Sequence, residues 1–158
     1  MSKKMGSVIQ KKRDSAGFDV DMSVLESKLG YQVRMADRIL NRQFSQNVGM
    51  TPVQYSVFAL VASNEGLSQV AIGESLRMDR ASTMAIVDKL QLAGLIERRQ
   101  SPHDKRMQAL YLSSQGQKEF KIVESKVKAH DKTFLDTFSA KDAGLLVSLI
   151  GQLRSPQP

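Results

Sequence analysis

The segment from Thr51 to Ser113 constrains this chain more than any other. Thr51, Pro52 and Gln54 together make an N-cap, a first-turn proline and a capping box, and Asn64-Glu65-Gly66 closes the helix they start. Ser68 and Asp79 start two more helices, the second ending at Gly94. That last helix carries Thr83, Ile86, Val87 and Leu90 on one face. The other face offers Ala81, Ala85, Asp88 and Lys89, flanked by Ser82 and Met84. A hairpin follows at once, with Leu95–Arg99 and Met107–Leu112 as short strands around the turn residues Ser101-Pro102-His103-Asp104. This order is what a winged helix-turn-helix needs to set one helix in a DNA groove and lay a ribbon beside it.

Helical periodicity extends the pattern on both sides. A first helix is expected from Ser23, with Glu26 completing a capping box. Its Leu25, Leu29, Val33, Ala36, Ile39, Leu40 and Phe44 share one face, and Tyr31, Arg34, Arg38 and Arg42 the opposite one. A fifth helix starts at Ser113 or Ser114 with Phe120, Val123, Val127, Phe134 and Phe138 on one stripe. A sixth starts at Ser139 with Asp142 and carries Ala143, Leu146, Leu149, Ile150 and Leu153. Residues 1–20 are basic, polar and without helical periodicity, which reads as a flexible arm. The expected fold is mainly α with a small β-wing, in the order α-α-α-α-β-β-α-α. One domain spans 21–158, its winged helix-turn-helix at about 51–112.

Composition then excludes functions. The absence of cysteine removes disulfides, thiol nucleophiles, thiolate zinc sites and thiol-based peroxide sensing. The two histidines, His103 and His130, form no H-x-x-x-H pair, so neither a metal nor a cofactor is expected. No phosphate-cradling glycine loop or nucleophile–base pair argues for an enzyme, and His103 beside Asp104 sits on a hairpin tip, a poor catalytic platform. No apolar run is long enough to span a membrane, and the lysines near the N-terminus precede no apolar signal segment, so a cytoplasmic location is expected. A net charge of +7 suits a polyanionic partner without naming it.

The chemistry lies in the fourth helix and the hairpin. Small and apolar side chains such as Ala81, Met84 and Ala85 can meet thymine methyls, and the Ser82 hydroxyl can bond base edges. Taken alone, this reads rather as an ordinary amphipathic surface helix. Arg98, Arg99, Lys105 and Arg106 crowd the ribbon, and Asp104 stands two residues before Arg106, near enough to brace its guanidinium. A braced arginine at a hairpin tip suits a narrow minor groove, while Arg99 and Lys105 suit phosphates. Taken alone, this is equally a solvated charge run. Helix and ribbon in direct succession favour double-stranded DNA.

These residues carry a family resemblance. Thr51-Pro52-x-Gln54-Tyr55, Ser68-Gln69, Asp79-Arg80-Ala81-Ser82-Thr83 and Val87-Asp88-Lys89-Leu90 are its first half. Gly94-Leu95-Ile96-x-Arg98-Arg99, Ser101-Pro102-His103-Asp104-Lys105-Arg106 and Leu112-Ser113-x-x-Gly116 complete it. The chain resembles the multiple antibiotic resistance regulator (MarR) family of bacterial transcription factors over residues 23–153. The resemblance implies a homodimer joined through helices at about 23–46 and 114–153, bound to a palindromic operator. The DNA-contacting set it implies is Ser68, Gln69, Arg80, Ala81, Ser82, Met84, Ala85, Lys89, Arg98, Arg99, Asp104, Lys105 and Arg106, with Arg106 in the minor groove. Position 85 is often polar or basic in the family; Ala85 here moves recognition toward methyl contacts, phosphates and DNA shape.

The resemblance also implies a small-molecule effector, an aromatic acid, a phenol or an acyl thioester, bound where the DNA-binding and dimerisation lobes join. Tyr31, Arg34 and Arg38 form the natural face for it, since paired arginines hold carboxylate or phosphate. The same face also reads as solvated, or as turned toward DNA. His130, on the shoulder of the fifth helix's stripe, fits either a ligand contact or a satisfied histidine in the dimer core. A global or architectural DNA binder without a switch is the competing reading.

Overall fold

The computed structural model describes residues 12–13, 19–101 and 105–153. The chain divides into two units, residues 1–42 and 43–158.

In the first unit, strands β1 (Lys12–Arg13) and β2 (Asp19–Val20) pair antiparallel, so part of the segment read as an arm carries a short ladder. The single helix expected from Ser23 is two helices, α1 (Ser23–Glu26) and α2 (Leu29–Val48). The expected capping box does not form. Met22 is the N-cap without a side-chain bond, and Asp21 instead accepts from the Ser23 amide at 2.9 Å. At the break, the Gln32 side chain reaches back to the Glu26 carbonyl at 2.7 Å, satisfying an acceptor the interrupted helix leaves over. Leu25, Leu29, Val33, Ile39 and Leu40 are exposed, so the apolar stripe exists but the described residues do not cover it.

The second unit begins with the last residues of α2, of which Phe44 and Val48 are buried. It continues as α3 (Pro52–Ser63), α4 (Gln69–Leu76), α5 (Arg80–Leu92), the hairpin β3 (Ile96–Gln100) with β4 (Gln108–Leu112), α6 (Ser114–Leu135) and α7 (Ala140–Leu153). The fold is mainly helical with a two-strand antiparallel wing, as expected, and strand limits differ from the expectation by a residue. Helix starts follow the local chemistry. Thr51 and Gln54 close the capping box, and Ser68, Asp79 and Ser113 accept from the amides of Ala71, Ser82 and Gly116. Ser139 accepts from the Asp142 amide at 3.2 Å.

The core is built from Val57, Phe58, Val61, Ile72, Val87, Leu90, Ile96, Leu110 and Val123, with Phe58 and Phe120 meeting edge to face at 5.3 Å. Between α3 and α4 the chain adds a pairing that periodicity did not suggest. The Gly66 amide donates to the Leu110 carbonyl, and the Leu110 amide donates to the Leu67 carbonyl. This anchors the wing's second strand on its far side. Gly66 adopts φ 79, and a Cβ there would lie 3.0 Å from the Tyr111 hydroxyl, so glycine serves both the turn and the packing.

One expectation changes near the C-terminal end. Phe138 does not continue the α6 stripe. The helix ends at Leu135, tight turns follow through Thr137 and Phe138, and Phe138 is exposed. α7 buries none of its residues, leaving Leu145, Leu146, Val147, Leu149, Ile150 and Leu153 exposed.

Candidate nucleic-acid interface

Helices α4 and α5 meet through a tight turn. Arg77 sits in the left-handed region at φ 52, a conformation costing a non-glycine residue roughly 1–2 kcal/mol. The Met78 amide donates to the Gly73 carbonyl at 2.8 Å. Gly73, mildly unfavourable as a helix residue, allows close approach here. A Cβ on it would stand 3.1 Å from Thr83 Oγ1 and 3.3 Å from the Met78 carbonyl. Thr83 Oγ1 donates to the Asp79 carbonyl, so this buried hydroxyl is satisfied inside its own helix. Asp79 accepts from the amide and the hydroxyl of Ser82, at 2.8 and 2.7 Å, and these bonds hold its carboxyl below the usual carboxylate value.

Thr83, Val87 and Leu90 face the core as expected, while Arg80, Ala81, Ser82, Met84, Ala85 and Lys89 are all exposed on α5. Ser68 and Gln69 open α4 beside them, the Ser68 hydroxyl already accepting as a cap. Ser68, Gln69, Val70, Arg80, Met84, Met107 and Gln108 border an open cleft of about 530 Å³ between α4, α5 and the wing. Four of the sequence-derived contact residues thus line one depression, and Met107, which the sequence reading omitted, joins them from the strand side.

The wing's arginines differ in employment. Arg98 donates to the carboxylate of Asp88 and to the side-chain oxygen of Gln91, both on α5. It therefore ties the first wing strand to the helix that precedes it. Asp88, Gln91 and Arg98 are within ten residues of one another, but only the fold shows that they meet. Arg99 pairs with Glu97 and lies over the Tyr111 ring at 4.7 Å. Lys105 and Arg106 are exposed where the second strand approaches, and Gln100 donates to the Lys105 carbonyl at 2.7 Å. Asp104, the expected brace of Arg106, lies outside the described residues, as do Pro102 and His103.

Of the expected effector residues, Tyr31 and Arg34 touch, with the guanidinium 5.7 Å from the ring centre, and Arg38 is exposed on the same helix. His130 is 4% exposed and buried by its own chain rather than by a dimer partner. Phe44 and Phe134 meet its ring edge-on at 5.3 and 5.0 Å, and Asn47 Nδ2 lies 3.3 Å from Nδ1. Nearby, the Tyr55 hydroxyl donates to Glu124 at 2.6 Å, joining α3 to α6. Burial, then this bond to a carboxylate, push the Tyr55 phenol up to about 12; the same bond lowers Glu124. The two residues lie 69 positions apart, and no sequence signal paired them.

Comparison with known proteins decides the family. Residues 48–107 match the MarR family model. A putative transcriptional regulatory protein for the hcr operon of Thauera aromatica is 31% identical over 133 residues, covering 82% of this chain and 80% of the relative. The chain belongs to the MarR family. Members of this family are DNA-binding transcriptional regulators, not enzymes. Among solved structures, the transcriptional repressor CouR bound to a 23-mer DNA duplex superposes with a TM-score of 0.82 at 26% identity, covering 87% of this chain and 100% of that one. CouR bound to p-coumaroyl-CoA gives 0.80 at 25% identity, covering 87% and 99%. No helix among the described residues of this MarR-family chain is long and apolar enough to cross a membrane.

Proposed function

We propose that this MarR-family regulator is a homodimeric repressor that binds a palindromic operator and is released by a small effector. The observation carrying the reading is the single surface formed by the exposed face of α5, the opening of α4 and the wing. It combines uncharged groups able to meet base edges with cations able to meet phosphates. Arg80, Lys89, Lys105 and Arg106 serve as the cations, and Ala81, Ser82, Met84 and Ala85 face the bases. Arg98 acts by holding the wing against α5. Two-fold symmetry sets half-sites one helical turn apart. The uncovered apolar residues of α7 favour a second copy as partner, because so many exposed large aliphatics are costly in water.

Tyr31, Arg34 and Arg38 are the proposed effector contacts, with the arginines holding a carboxylate or phosphate and the tyrosine stacking on an aromatic group. The likeness to CouR with p-coumaroyl-CoA favours an aromatic acid or its thioester. His130 is already packed and partnered, which favours a structural role for it. The effector needs only to prefer the dimer geometry that fits DNA less well.

The absence of an exposed arginine or lysine at positions 81, 84 and 85 favours a second reading, a global regulator with little base specificity. Fluorescence anisotropy at physiological salt separates the two. DNA from upstream of the protein's own gene is compared with a scrambled duplex of equal length. A preference of about a thousandfold or more supports the local repressor. Equal affinities that fall together with salt refute it in favour of the global reading.

A further inference from the structure

The described methionines are unequally placed. Met22, Met35, Met50 and Met78 are half-buried, whereas Met84 and Met107 are 49% and 48% exposed. Both exposed thioethers border the cleft between α4, α5 and the wing, one on α5 and one immediately before the returning wing strand β4. Met78 lines the same cleft from the α4–α5 turn. The chain has no cysteine, so among the described residues these thioethers are the oxidisable sulfur on that surface.

We propose that Met84 and Met107 form an oxidation site through which peroxide-class oxidants weaken DNA binding; this rests on the DNA-binding reading above. A sulfur lone pair attacks one peroxide oxygen, the S–O bond forms and the O–O bond breaks. The departing hydroxide takes up the proton from the new S–OH and leaves as water. Sulfur loses two electrons and the peroxide gains them. The product replaces an apolar thioether by a polar sulfoxide whose oxygen bears negative charge density. On Met84 that oxygen stands among Ala81 and Ala85, where apolar contact with bases is expected, and near phosphates that repel it. On Met107 it stands at the wing strand across the cleft. Reductases specific for methionine sulfoxide reverse the change, which makes the site a switch rather than damage.

The full-length protein is treated with graded hydrogen peroxide, oxygen uptake is assigned to each methionine by peptide mass spectrometry, and affinity for upstream DNA is measured by anisotropy. Sulfoxide at Met84 and Met107 should weaken binding about tenfold, equivalent to about 1.4 kcal/mol. Methionine sulfoxide reductase should restore it. The M84L/M107L variant is compared with its own untreated affinity, which peroxide should leave unchanged. The inference is overturned by unchanged affinity with both sulfoxides present, by oxygen uptake that spares both residues, or by equal loss in M84L/M107L. If the untreated protein binds no DNA, the functional reading fails and takes this inference with it. If it binds and oxidation leaves binding intact, this inference fails alone.

Discussion

Gly116 provides the sharpest test of how the wing is joined to α6. It lies in the first turn of α6, and a Cβ added there would stand 1.8 Å from the Leu95 carbonyl oxygen and 2.8 Å from the carbonyl carbon. Ordinary C···O contacts are about 3.3–3.6 Å, so G116A forces a shift of about 1.5 Å in backbone rather than in a flexible side-chain end. The same carbonyl accepts from the Ser113 amide at 3.1 Å, and Ser113 Oγ bonds the Gly94 carbonyl while capping α6. Overpacking costs about 1–3 kcal/mol, and weakening a buried backbone bond adds about 1–3 kcal/mol. Better helix propensity for alanine offsets about 1 kcal/mol. The net is a loss of about 3 kcal/mol, which for a chain of this size lowers Tm by about 6–12 °C. The assay is thermal unfolding at matched protein concentration, since a dimer's Tm depends on it. K118A, at an exposed position two residues along, should remain within about 0.5 kcal/mol of the parent. A G116A melting curve within about 2 °C of the parent, which at this size corresponds to about 1 kcal/mol or less, would refute the close approach.

Two further outcomes follow from the side-chain geometry. Y55F removes the donor to Glu124 and should cost about 1 kcal/mol at neutral pH, a charge-assisted bond reduced by Glu124's partial exposure. Because the folded Glu124 carboxyl lies below its ordinary 4.5, the difference from the parent is full above that value. It shrinks as pH falls through the folded value; on the alkaline side it holds below pH 10 and fades toward about 12, where Tyr55 ionises. Urea unfolding across pH tests this, and a gap that persists unchanged in acid argues against the pairing. D88N removes the charged partner of Arg98, leaving it Gln91, and raises the net charge by one by deleting a carboxylate. If Arg98 holds the wing, DNA affinity should fall about tenfold at unchanged salt slope, or about 1.4 kcal/mol; tighter binding in an anisotropy titration would show that charge, not wing position, governs.

The division between what was legible and what was not follows the range of the interactions. Thr51 with Gln54, Ser68, Asp79 and Ser113 act on amides three residues ahead, so the starts of α3, α4, α5 and α6 stand in the sequence itself. The basic hairpin and the exposed side of α5 follow from patterns of similarly short range. Even locally the reading erred where two solutions competed, as at Ser23, where Asp21 took the amide and Gln32 stabilised a break. Partnerships between distant residues were the fold's to decide. Arg98 reads as one more cation until Asp88 and Gln91 are brought to it, and His130 as a possible ligand until Phe44, Asn47 and Phe134 enclose it. Residue type and periodicity set helix starts and faces because those depend on neighbours within a turn. Which cation is engaged, which thioether meets solvent and which glycine touches a carbonyl depend on segments far apart in the chain, and packing alone brings them together.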